Sequence, residues 1–77
     1  MKIEVLGTGC AKCRLLESAV RASVDRLGVS CSIDHVTDIN RITEYGVMMT
    51  PALVIDGQVR IVGRIPSDAE LTSLLEQ

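Results

Sequence analysis

Aromatic side chains are nearly missing from this chain. Its 77 residues include one tyrosine, Tyr45, and neither phenylalanine nor tryptophan. A surface that stacks single-stranded bases needs aromatic rings, so that kind of nucleic-acid platform is excluded. Positive charge is not in excess either. Eight Lys and Arg stand against ten Asp and Glu, for a net charge of −2, which argues against a partner held by its phosphates. No apolar run approaches the roughly 20 residues of a membrane helix. Lys2 and Glu4 break the apolar start, so Met1 to Leu6 is not a signal-peptide core. The expectation is a cytoplasmic chain with no membrane and no nucleic acid among its partners.

What is present suits one small globular unit spanning residues 1–77: 47% hydrophobic and 23% charged residues, with no repeat, linker or low-complexity stretch. The cysteines number three. An odd count does not suit a disulfide-stapled secreted fold. In a reducing compartment a close pair reads as metal-binding or redox-active.

Ile3-Glu4-Val5-Leu6 reads as a short strand closed by Gly7-Thr8-Gly9. From Cys10 to Leu27 a helical pattern follows, with Leu16, Val20, Val24 and Leu27 on one stripe and Leu15 and Ala19 widening it. Gly28 terminates it. Cys31 to Val36 alternates as a second strand. Thr37 or Asp38 caps a short helix through about Tyr45, and Gly46 ends it. Ala52 to Ile55 and Gln58 to Val62 flank Asp56-Gly57, a strong hairpin signal because a type I′ turn needs positive φ at both central positions. Ser67 and Glu70 form a capping box for a last helix with Leu71, Leu74 and Leu75 on its stripe. The order is β-α-β-α-β-β-α. Strands one and two must then be parallel across a right-handed helical crossover, in a four-stranded mixed sheet with helices on both faces.

Cys10-Ala11-Lys12-Cys13 lies where the first strand turns into the first helix. A first helical turn leaves backbone N–H groups unpaired, and the helix dipole favours negative charge there. A Cys10 thiolate would accept those hydrogen bonds, and Lys12 adds a cation. Both lower the pKa of a thiol. Cys13 lies three residues on, one turn deeper on the same helix face. Cys10 at the tip would attack a substrate disulfide, and Cys13 would resolve the mixed disulfide. Two other readings compete. One is a pair of ordinary small core residues, although structural cysteines rarely pair at the mouth of a helix behind glycines. The other is a soft-metal module, since two thiolates suit Cu(I) or Zn. Against the metal, a ferredoxin-like domain ends in a strand, whereas this chain ends in a helix. One CxxC also supplies two of the four ligands of a structural zinc site.

If the third strand runs antiparallel beside the first, Thr50-Pro51 arrives next to the cysteines, and Val62-Gly63-Arg64 finishes at the same end. Thr50-Pro51 is either a cis bond, which would turn the Thr50 backbone outward to pair with an extended substrate, or an ordinary trans proline at a strand start. Cys31 belongs to the opposite end of the sheet, about 15 Å or more from Cys10, as a small buried or edge residue. Glu4 reads as a partly solvated strand residue, with a proton relay to Cys13 as the alternative. His35 reads as surface. Ile39, Ile42 and Tyr45 read as core. Met48 and Met49 read as packing, with a substrate rim as the alternative for Met49. Arg64 reads as a solvated rim arginine, with a bias toward acidic partners as its alternative.

Three stretches, Gly7 to Cys13, Thr50 to Gly57 and Gly63 to Ser67, resemble the thioredoxin superfamily, and specifically its small thioredoxin-like members called redox-active disulfide protein 2. The likeness extends over essentially the whole chain. It implies a thioredoxin/glutaredoxin-like α/β fold and dithiol–disulfide exchange. It assigns the nucleophile to Cys10, the resolving thiol to Cys13 and a cis-proline to Pro51, with Thr50, Pro51 and Gly63 facing substrate. No cofactor is implied beyond a redox-active Cys10–Cys13 disulfide. The implied partners are a protein disulfide and a dithiol reductant such as a thioredoxin reductase, with the protein acting as a monomer. The chain departs from ordinary thioredoxin: no Trp precedes the first cysteine, and Ala11-Lys12 replaces Gly-Pro. The Pro-Tyr of glutaredoxins is missing too, which speaks against glutathione.

Overall fold

The alternating and helical patterns resolve, in a computed structural model that describes residues 1–9 and 11–76, into seven elements. These are β1 (Lys2–Leu6), α1 (Ala11–Leu27), β2 (Ser32–Val36), α2 (Ile39–Glu44), β3 (Ala52–Ile55), β4 (Gln58–Val62) and α3 (Asp68–Leu75). They form one mixed sheet in the order β2-β1-β3-β4. β1 and β2 are parallel, with Ile3 opposite Ile33 and Leu6 opposite Val36. β3 runs antiparallel to β1, with Glu4 opposite Val54 and Leu6 opposite Ala52. This is the four-stranded mixed sheet that the order of elements implies, and the thioredoxin-like α/β fold that the resemblance implies.

Strand parity divides the core in two. Ile3 and Val5 of β1, Leu53 and Ile55 of β3 and Ile61 of β4 turn toward α1 and α3, where they meet Leu16, Val20, Val24, Leu71 and Leu75. Leu6, Ala52 and Val54 turn to the other face and meet Val36, Ile42 and Val47 under α2. On α1, Cys13, Leu16, Val20, Ser23 and Val24 are buried, a narrower stripe than the sequence suggests, and Leu15 stays exposed. Arg26 Nη2 donates to Thr72 Oγ1 at 2.8 Å, tying α1 to α3 across their exposed edge.

The turns follow local chemistry. Asp56 and Gly57 take φ of 50° and 82°, as a type I′ turn requires. The β3–β4 ladder slips by one residue after Leu53, because Val54 pairs with Val59 and leaves Arg60 as the extra residue. Ser67 Oγ accepts from the Glu70 N–H at 3.2 Å and caps α3. Asp38 caps α2 by accepting from the Asn40 N–H at 2.9 Å. This six-residue helix buries Ile42 alone. Ile39, expected in the core, is 66% exposed. The helix is too short to turn two rows of side chains inward.

Candidate functional site

Three segments meet beyond the carboxyl end of β1. Gly7 ends that strand and donates its N–H to the Val36 carbonyl of β2 at 3.0 Å. Thr50 and Pro51 precede β3, and the peptide between them is cis. Gly63 follows β4 and donates its N–H to the Pro51 carbonyl at 2.7 Å. The antiparallel β1–β3–β4 ladder forces this meeting, since β3 must start and β4 must end where β1 ends.

Cys13 stands at the centre of the junction. It is fully buried on the first turn of α1. Its Sγ fills the space that a side chain at Gly7 would need, and Thr50 Cβ closes that space at 3.8 Å. Glycine is therefore required at position 7 for close approach, not for an unusual turn. The residue before α1, Cys10, lies outside the described residues. Lys12 is exposed on the first turn of the helix. Thr50 is exposed, Pro51 buried and Gly63 half-buried, so the rim offers Thr50 and Gly63 to solvent over a buried proline. A Cβ on Gly63 would press on Met49, whose Cε lies 3.2 Å from that position.

The rim has two unlike flanks. On the α2 side, Thr8, Ile39, Ile42, Thr43, Val47, Met48 and Thr50 line an open groove of about 330 Å³, with Met48 almost wholly exposed. On the α1 side, Gly9, Arg14, Glu17, Ser18, Arg21 and His35 line a cleft of about 510 Å³. Glu17 is shared there: its Oε1 lies 3.1 Å from His35 Nδ1 and its Oε2 accepts from Arg21 Nε at 3.2 Å. His35 Nε2 is buried and has no hydrogen-bond partner among the described residues.

Several side chains sit differently from the sequence reading. Glu4 is not solvated; it is 2% exposed. Tyr45 Oη donates to its Oε1 at 2.6 Å, and Arg41 Nη2 donates to its Oε2 at 3.1 Å. Even-numbered residues of β1 face α2, whereas Cys13 lies on the α1 face. The Glu4 carboxylate is thus turned away from Cys13 and committed to α2, which removes the proton-relay alternative. Its hydrogen bond raises the Tyr45 pKa above 10.0, reinforced by desolvation and by the carboxylate charge. Tyr45 is accordingly a polar tie at the edge of the core. His35 is half-buried against Glu17 rather than free on the surface. Arg64 is paired as well, making a bidentate contact to Glu70 at 2.7 and 2.6 Å. That contact raises the Arg64 pKa and lowers that of Glu70. Cys31 lies one residue ahead of β2, half-buried against the α1–α3 core and at the end of the sheet away from Gly7. Among the described residues no three His, Cys, Asp or Glu side chains cluster as a metal site. Among them, too, no helix is long and apolar enough to cross a membrane.

Sequence reasoning missed Gly7, because Gly-Thr-Gly reads as a strand terminator. It also missed the grouping of Arg14, Glu17, Arg21 and His35. The spacing of 14, 17 and 21 places the first three on neighbouring helical positions, but only the β1–β2 pairing brings His35 over them.

A parallel β1–β2 pair, an antiparallel β3–β4 hairpin and a buried helix-start cysteine beside a proline loop define a thioredoxin-like α/β protein. The chain belongs to the family described as the thioredoxin domain, whose model matches residues 1–76. It is 37% identical over 75 residues to a protein named thioredoxin from Methanothermobacter thermautotrophicus, covering 97% of both chains. It is also 38% identical over 74 residues to a thioredoxin of Methanocaldococcus jannaschii, covering 96% of this chain and 85% of that one.

Proposed function

We propose that the protein is a thiol–disulfide oxidoreductase working through Cys10 and Cys13. The Cys10 thiolate attacks one sulfur of a protein disulfide. A mixed disulfide forms, and the departing substrate thiolate takes up a proton. Cys13, as thiolate, then attacks the Cys10 sulfur. A Cys10–Cys13 disulfide forms and the second substrate thiol leaves. Two electrons pass to the substrate, and a dithiol reductant of the thioredoxin reductase kind returns them. No bound cofactor takes part. Lys12, on the first turn of α1, favours the attacking thiolate by its charge. Thr50 and Gly63 offer backbone groups to an extended substrate, positioned by Pro51.

The observation that carries this reading is the seat of Cys13. A resolving thiol must be shielded from solvent yet one turn from the attacking one, and Cys13 Sγ is fully buried in the hollow over Gly7 beside Thr50. The name shared by the two archaeal relatives supports the same chemistry. Insulin reduction by dithiothreitol is the direct test. The wild type is expected to accelerate it and Cys10→Ser to abolish the acceleration. Equal turnover by the two proteins rejects the assignment. Cys13→Ser is expected to hold substrates as mixed disulfides on Cys10, recoverable from cytosol and released by reductant.

A further inference from the structure

The α1 flank of the rim has features that disulfide exchange itself does not use. Arg14, Ser18 and Arg21 follow one another at four- and three-residue steps, so they line a single stripe about 10 Å long down the helix. The cleft over that stripe begins at Gly9, the residue before Cys10, and Arg14 directly follows Cys13. A polypeptide that reaches the cysteines from this side must run onto it. Its charge is also uneven. Arg21 and His35 share the carboxylate of Glu17, whereas no ion pair among the described residues engages Arg14. Two arginines against one glutamate leave a surplus of positive charge here before His35 is counted, on a chain whose net charge is −2. The opposite flank, lined by Ile39, Ile42, Val47, Met48 and three threonines, carries no charged side chain.

We propose that this cleft is a docking site for an acidic segment of the disulfide partner, with Arg14 and Arg21 receiving its carboxylates. The proposal rests on the oxidoreductase reading for its biological setting, but the binding chemistry stands by itself. Arg14 supplies a guanidinium fork that no ion pair among the described residues occupies. Ser18 adds a hydroxyl between the two arginines. Specificity of this kind acts on encounter and register rather than on the sulfur chemistry.

Two disulfide peptides test it, identical except that three residues beside the cysteine are aspartates in one and asparagines in the other. With the wild type at low salt, kcat/KM is expected to favour the acidic peptide about three- to tenfold. That ratio should fall toward one in the Arg14→Gln, Arg21→Gln double variant, and also at about 0.5 M salt. A ratio of one in the wild type, or an undiminished ratio in the double variant, overturns the docking site. If the wild type reduces neither peptide, it is the oxidoreductase reading that fails. A cysteine-free aspartate peptide titrated against the amide resonances of the protein then decides the docking question. Shifts at Arg14, Ser18, Arg21 and His35 that vanish in the double variant support it. Absent shifts, or shifts confined to the Ile39–Met48 side, overturn it.

Discussion

Under α1 and α3 the sheet buries a cluster of ten apolar side chains among the described residues, whereas under α2 it buries six and, beside them, the carboxylate of Glu4. The first face has 17- and eight-residue helices to cover it, each with a continuous apolar stripe. Burial alone can hold them. The second face has a helix of six residues that buries Ile42. An isolated helix of that length is unstable in water, and one isoleucine contributes roughly 1.5–3 kcal/mol. Glu4 reaches out of the central strand and binds Arg41 inside α2 and Tyr45 at its end. The polar tie supplies the direction and register that apolar contact cannot supply over so few residues. Where the cover is long, packing suffices; where it is short, a buried carboxylate fixes it in place.

Substitutions on the two faces should separate these modes. The largest loss is expected from Leu53→Ala on the apolar face, about 2–5 kcal/mol in urea unfolding. A value near zero would mean that this core is not tightly packed. Gly7→Ala comes next. Its methyl group collides with Cys13 Sγ, for an overpacking cost of about 1–3 kcal/mol, and it should slow insulin reduction as Cys13 is displaced. Full activity with full stability would contradict the close approach described here. Glu4→Gln should cost about 1–2 kcal/mol by weakening two charge-assisted bonds. Its sharper signature is local: amide exchange from Ile42 to Tyr45 should quicken while that of Val20 holds. Uniform quickening would erase the distinction between the faces.

Tyr45→Phe is expected to cost about 1 kcal/mol and to alter alkaline behaviour. The folded-state pKa of Tyr45 is raised above 10.0, so the folded protein keeps a proton that the unfolded chain releases. That contribution is complete below pH 10 and declines as pH climbs through the folded value. Tyr45 is the single aromatic residue, so absorbance near 295 nm reports it alone, and a native midpoint at or below 10 would contradict the Glu4 bond. The smallest effect belongs to Arg64→Gln. Glu70 is held below its ordinary 4.5, chiefly by the Arg64 hydrogen bond. Its contribution is therefore present above that pH and lost as pH falls through the lowered value. The variant should differ slightly from wild type at pH 6 and merge with it in strong acid; a gap that persists there would point to some other role for Arg64.

Much of this architecture could be read from residue order. The strand and helix periods, the Asp56-Gly57 turn and the Ser67–Glu70 cap are short-range devices. Each acts within a few residues, so each is visible in a linear chain. The meeting of Thr50, Pro51 and Gly63 beyond β1 was legible too, because an antiparallel neighbour of β1 must begin where β1 ends. The partners of individual side chains were not. Glu4 looked solvated because a lone glutamate in an apolar strand does not show what lies across its face, and Ile39 looked buried because its spacing suits a longer helix. Arg64 and His35 looked like free surface groups for the same reason.

By itself, the sequence determined the seven elements, their order and the placing of Cys13 at the start of the first long helix, since local backbone preference and apolar periodicity decide those. Tertiary structure alone decided that Gly7 makes room for the Cys13 sulfur, that Glu4 turns from that sulfur to hold α2, and that Arg14 and Arg21 line one cleft with His35. Those outcomes depend on which face each strand residue presents and on which element lies across from it, and a residue carries no mark of its neighbour until the chain has folded.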